Sequence, residues 1–173
     1  MLIAVNVISC ILLVLVLVED LKFRAVHAWI FPLLCAAFIF LRMNETAVSE
    51  VLTDTALNTA LIALNLLLAT LYFSLKNRKP VKLTGGFIGW GDLFFFIAIA
   101  PLFPFRQFVF VFPLSLLFSL IMWLGLSQFS QQRDRKVPLA GLQALFVLGW
   151  MGATAAGFVD SSSSPDFFTV WKN

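Results

Sequence analysis

Six apolar stretches dominate this sequence, each long enough to cross roughly 30 Å of hydrocarbon as a helix of about 17–25 residues. They lie near 2–18, 25–41, 56–75, 87–103, 108–127 and 139–159, and the only Asp, Glu, Lys or Arg inside them is Asp92. Hydrophobic residues are 61% of the 173 and charged residues 12%, against about 45–50% and 25% in a water-soluble domain. The mean hydropathy is +0.96. This excludes a cytosolic globular enzyme, a disordered tail and a nucleic-acid-binding module, and the net charge of +3 implies no nucleic-acid partner. Strands in lipid would need a closed barrel with alternating polarity, which these continuous runs lack. The first stretch has no basic leader or small-residue cleavage site and is followed by Glu19 and Asp20, so it reads as a retained helix rather than a signal peptide. The expected fold is all-α: one polytopic six-helix membrane domain over 1–173.

Charge gives the orientation. Segments 19–24, 76–86 and 128–138 carry nine basic residues (Lys22, Arg24, Lys76, Arg78, Lys79, Lys82, Arg133, Arg135 and Lys136), while Arg42, Arg106 and Lys172 are the three on the other side. Basic residues near span ends stay cytoplasmic, which puts both termini outside. The opposite loop 42–55, with Glu45, Glu50 and Asp54, is expected to be solvated. Ser161–Ser164 and Pro165 read as an exit from the last helix, and Phe167, Phe168 and Trp171 as an interfacial anchor. No internal repeat stands out. Cys10 and Cys35 lie in apolar runs and read as small buried hydrophobes. Without a CxxC, and with one isolated His, neither a disulfide framework nor a zinc site is expected.

An ionisable residue at membrane depth is a functional candidate, because a carboxylate near a span's centre costs about 2.5–3.5 kcal/mol to insert. Asp92 closes the segment Gly85-Gly86-Phe87-Ile88-Gly89-Trp90-Gly91-Asp92, with four glycines in the seven residues before it. So many glycines suggest an unwound or closely packed segment, and Gly85 and Gly89 form a small-xxx-small pair. Asp20, just past the expected end of helix 1 at Val18, is the second candidate. Helix 1 ends and helix 4 begins on the cytoplasmic side, so both carboxylates fall in the same leaflet. His27 reads as an interfacial or hydrogen-bonded residue. Asn58 and Asn65, seven apart on one helix face, are expected to make interhelical hydrogen bonds. Pro101 and Pro104 mark the end of helix 4.

Two segments resemble a known family. Asp20-Leu21-Lys22-Phe23-Arg24-Ala25-Val26 resembles the DxKxRxI motif after the first helix of type IV prepilin peptidases, and Gly89-Trp90-Gly91-Asp92 matches the GxGD motif of membrane aspartyl proteases. Lys136-Val137-Pro138-Leu139-Ala140 is similar to the family's basic, Pro-containing lead into its last helix. The resemblance implies a multi-pass enzyme of the bacterial inner (cytoplasmic) membrane. Its substrates would be prepilin-like precursors of type IV pilus and secretion systems, with a basic leader joined to a hydrophobic helix. Asp20 and Asp92 would be catalytic, with Lys22, Arg24, Gly89 and Gly91 supporting substrate binding or the motifs. Other than substrate, the expected contact is membrane lipid. This chain has His27-Ala28 where the family usually has Pro-Asn, and it lacks the cytoplasmic domain with paired CxxC motifs linked to N-methylation. It resembles the short, peptidase-only form.

Peptide hydrolysis by two aspartates needs one carboxylate to take a proton from water and one carboxylic acid to hydrogen-bond the scissile carbonyl. Two adjacent carboxyl groups that share one proton supply both, so neither cofactor nor metal is required. Helix-end dipoles favour Asp92 as base and Asp20 as acid. Two other functions fit part of the pattern. One is a small transporter or channel using Asp92 as an ion or proton site; the other is an inactive family member acting as a scaffold.

Overall fold

The computed structural model describes residues 1–78, 89–129 and 138–156. Among these residues six α-helices follow in order: α1 (Leu2–Phe23), α2 (Ile30–Met43), α3 (Val48–Asn77), α4 (Trp90–Ile99), α5 (Phe105–Phe129) and α6 (Leu139–Ala155). A 3₁₀ turn, Ala100–Leu102, joins α4 to α5, and among the described residues there is no strand. Helix α1, helix α3 and residues Phe105–Gly125 of α5 are long and apolar enough to cross a membrane, while α2, α4 with its 3₁₀ turn, and α6 are shorter apolar helices. The protein is an all-helical membrane protein. Lipid offers no partner for backbone N–H and C=O groups, so segments this apolar form helices that satisfy them internally.

The helix ends differ from the apolar runs for identifiable reasons. Helix α1 continues through the charged residues to Phe23, so Asp20 lies within its last turn and not beyond it. Arg24 then closes the helix in the left-handed region, φ 56°, with its N–H on Asp20 O. Helix α2 starts at Ile30 instead of residue 25. The carboxylate of Glu19 takes both the His27 N–H (3.0 Å) and its Nδ1 (2.8 Å), which holds the connection in a turn. Pro32 falls in the first turn of α2, where its missing N–H leaves no acceptor unpaired. Helix α3 begins at Val48, eight residues ahead of the apolar run: Glu50 complements its N-terminus, and Thr53 and Thr55 satisfy their hydroxyls on carbonyls four residues back. Helix α4 begins at Trp90 behind an extended Gly89. It loosens into the 3₁₀ turn at Pro101, and Phe103, before Pro104, is extended.

Helix α1 packs along α6 and beside α2; α5 lies on the far side of α6, and α2 on α4. The core joins Leu13 and Val16 of α1, Ile30, Leu34 and Phe38 of α2, Phe95 of α4, Phe108 of α5 and Val147 of α6, all essentially inaccessible. Phe108 stacks on Phe112 at 5.2 Å, and Phe112 meets Phe96 edge-on at 5.3 Å. Cys10 and Cys35 are free and half-buried. This packing brings the C-terminal end of α1 to the N-terminal ends of α4 and α6.

Candidate functional site: two aspartates on the first turn of α6

Helix α6 opens after Pro138, which has neither an N–H nor a side-chain oxygen, and no side chain of its own segment caps it. The next N–H groups must find acceptors elsewhere. Ala140 N–H donates to Asp92 Oδ1 at 2.9 Å and Gly141 N–H to Asp20 Oδ2 at 2.6 Å. Two carboxylates 72 positions apart in sequence thus sit on consecutive backbone amides of a third helix. Adjacent helical nitrogens are about 3 Å apart, so oxygens held on them lie within about 8 Å of each other and closer when the two bonds run parallel.

Asp92 is the third residue of α4, and its Oδ2 accepts the Gly89 N–H at 3.1 Å. This is one half of a capping box, the acidic residue reaching back to the N-cap amide. Asp20 is 8% exposed, whereas Asp92 is half-buried. Asp20 lies in the last turn of α1 and Asp92 in the first turn of α4, so the helix-end argument for their roles keeps its direction, while both carboxylates also share the positive end of α6.

Glycine matters here at two positions. A Cβ on Gly141 would lie 3.1 Å from both Asp20 Cβ and Oδ2 and 3.4 Å from Leu17 O, so the bare backbone lets α1 approach closely enough for the 2.6 Å bond. A Cβ on Gly89 would lie 3.2 Å from Asp92 Oδ2, while Gly91 faces open space. Of the two motif glycines, Gly89 touches the site and Gly91 does not. Gly85 lies outside the described residues.

Lys22 and Arg24 form no ion pair with the carboxylates, although the Arg24 charge is near enough to act on Asp20. Both are exposed; Lys22 Nζ lies 5.1 Å from the centre of the Phe23 ring, and Arg24 caps α1. His27 is bound to Glu19. Of the basic cluster at the end of α3, Lys76 and Arg78 are exposed, and Lys79 and Lys82 lie outside the described residues, as do Arg133, Arg135, Lys136 and the Ser- and aromatic-rich tail. Among the described residues no group of three or more His, Cys, Asp or Glu could hold a metal ion.

Of three further polar residues, Asn58 makes the expected interhelical bonds, while Asn65 and Asp54 depart from expectation. Asn58 is fully buried and donates to Ala100 O (2.7 Å) and Phe103 O (2.9 Å), binding α3 to the broken end of α4. Asn65 instead donates to Leu61 O of its own helix at 2.8 Å and is exposed. Asp54 is not a solvated loop residue. Its Oδ2 meets Arg42 Nη2 at 2.8 Å and its Oδ1 accepts the Phe105 N–H at 3.1 Å, tying α2 and α3 to the start of α5. Near that end, remote from Asp20 and Asp92, lies a cavity of about 800 Å³ lined by α1 from Ile3 to Leu15, Arg42, Phe103 and Trp150.

Gln143 was not anticipated. It is fully buried, and neither its Nε2 nor its Oε1 has a partner, an omission that costs about 1–3 kcal/mol per group. Its signal was legible: it is one of two polar side chains, with Thr154, in an otherwise apolar α6. No family model, curated protein or solved structure matches this chain.

Proposed function

We propose that this protein is a membrane aspartic endopeptidase of the prepilin peptidase type, with Asp20 and Asp92 as the catalytic pair. The observation that carries the proposal is the meeting of these two residues, each from its own motif, on the Ala140 and Gly141 amides. In the reaction, one carboxylate takes a proton from water as its oxygen bonds to the scissile carbonyl carbon. The other, as the acid, gives its proton to the carbonyl oxygen. Collapse of the tetrahedral diol returns a proton to the pair, the amide nitrogen is protonated, and the C–N bond breaks to a new carboxyl and amine. Backbone amides supply the orientation; they are fixed donors that need no rearrangement during the step.

The substrate class is a prepilin-like precursor, cut where its basic leader meets its hydrophobic helix, on the cytoplasmic face of the bacterial inner membrane. Six spans with both termini outside give the pair that depth, and exposed Lys22 and Arg24 are available to the substrate's headgroup-level segment. The test is cleavage of a leader-plus-helix peptide by purified protein in detergent. Asp20→Asn and Asp92→Asn are expected to fold and to lose more than 99% of the activity. Full cleavage by either variant would remove that residue from the mechanism. An inactive wild-type protein that moves protons across liposomes would instead favour transport through Asp92. Cysteine labelling at positions 1 and 26 from opposite faces of intact cells tests the orientation.

A further inference from the structure

Gln143 lies in the same first turns of α6 as the amides that hold the two carboxylates. It follows Ala140 by three residues, so the two share a helix face. A helical side chain leans toward the N-terminus of its helix and covers the turn before its own Cα. The carboxamide is therefore carried toward the Ala140 turn, where Asp92 is bound. Gly141, about a quarter-turn away from Ala140, faces α1 instead, as its contact with Asp20 and Leu17 requires. Ser115 and Ser119, the buried hydroxyls of α5, are already committed to Phe112 O and Ser115 O. In the resting bundle a donor and an acceptor on one planar group are thus both unmet, three residues after the amide that holds Asp92.

A primary amide with a free donor and a free acceptor complements one kind of group above others: a peptide unit of an extended strand, which offers a C=O and an N–H. We infer that Gln143 is a substrate-positioning residue whose carboxamide takes up the backbone of the unwound substrate segment beside the scissile bond. Its Nε2 donates to a substrate carbonyl and its Oε1 accepts a substrate N–H. An ester, which has no N–H, satisfies only half of it. This inference rests on the peptidase reading.

The test uses the full-length protein in detergent and two synthetic leader-plus-helix substrates. One is all-peptide; the other has an ester oxygen in place of the N–H on the residue next to the scissile bond. Gln143→Met keeps the length and removes both polar atoms, so its melting temperature is expected to equal or exceed that of the unaltered protein. Its kcat/KM on the all-peptide substrate is expected to fall at least tenfold. The ester substrate is expected to slow the unaltered protein severalfold and Gln143→Met no further. Equal kinetics for Gln143→Met and the unaltered protein would overturn the inference while leaving the peptidase reading intact. A lower melting temperature with full loss from the ester still present would also overturn it, assigning Gln143 to the fold. An unaltered protein that cleaves neither substrate would sink the peptidase reading and this inference with it.

Discussion

Replacing Gly141 by alanine adds one methyl group at the tightest point between α1 and α6. The new carbon would stand 3.1 Å from Asp20 Cβ and Oδ2 and 3.4 Å from Leu17 O, where comfortable carbon contacts are about 3.5–4.0 Å. The Oδ2 contact is relieved if the carboxylate swings away, at the expense of the 2.6 Å bond from Gly141 N–H. Leu17 O is backbone and Asp20 Cβ is fixed to the α1 backbone whatever the rotamer, so these contacts are relieved only if the helices part by a few tenths of an ångström. Overpacking of this kind costs about 1–3 kcal/mol. Losing a charge-assisted hydrogen bond costs about the same, and the two are alternative routes rather than additive ones. Gly149 of the same helix is the control: it faces open space, so alanine there gains about 0.5–1 kcal/mol of helix propensity. Two chemically identical substitutions eight residues apart are therefore expected to have opposite signs. Unfolding by dodecyl sulfate in mixed micelles, followed by tryptophan fluorescence, measures both. If Gly141→Ala proves as stable as Gly149→Ala, the close approach of α1 to the α6 N-terminus is wrong, and the meeting of the aspartates with it.

The other expectations concern separate elements. Asp20→Asn retains an oxygen for the Gly141 N–H and should lose activity with little loss of stability, whereas Asp20→Ala should lose activity and about 1–2 kcal/mol; equal melting temperatures would refute the amide contact. Asn58→Ala leaves the carbonyls of Ala100 and Phe103 unpaired and should cost about 1–3 kcal/mol in the same unfolding assay, while Asn65→Ala should stay within about 0.5 kcal/mol. Arg42→Met strands the Asp54 carboxylate and should cost about 3 kcal/mol; adding Asp54→Asn removes the stranded charge, keeps an acceptor for Phe105 N–H, and should recover more than half. Arg24→Gly suits the left-handed φ of 56° and should gain up to about 1 kcal/mol, so a fall in cleavage by that variant measures the guanidinium and not the fold.

What the sequence discloses follows from what lipid enforces. Apolar runs announce helices because hydrocarbon leaves the backbone no other partner, and opposite chain directions for the first and fourth runs already bring Asp20 and Asp92 to one depth. Helix ends are less legible, since hydropathy falls off where polar side chains begin, yet Glu19, Asp20 and Lys22 continue α1 for a further turn. The bond from Asp54 to Arg42 was hidden for the same reason: both residues lay in a segment too polar to count as helix, and their pairing depends on how α2 and α3 turn toward each other. The role of α6 was invisible for a different reason. What it contributes is backbone N–H, which every residue but proline carries, so no residue type marks it; only Pro138 followed by the small Ala140 and Gly141 hints at an open helix end.

That helix end explains why the two carboxylates meet at all. Pro138 has no N–H, so the unsatisfied donors at the start of α6 are those of Leu139, Ala140 and Gly141, and the first intrahelical bond is Leu142 N–H to Pro138 O. A local cap would ordinarily come from a Ser, Thr, Asn or Asp at the position Pro138 occupies. With none there, two of the three donors are met from α4 and α1, and the cap of one helix becomes the clamp that joins three. Each carboxylate is at once a candidate reacting group and a structural ligand. The small residues at 140 and 141 serve both ends: Gly141 admits Asp20, and neither position offers a side-chain oxygen to compete for the amides. A serine in place of Pro138 would divide these functions. By capping α6 locally it would compete with Asp92 and Asp20 for the same N–H groups, leaving the helix intact and the pair free to separate.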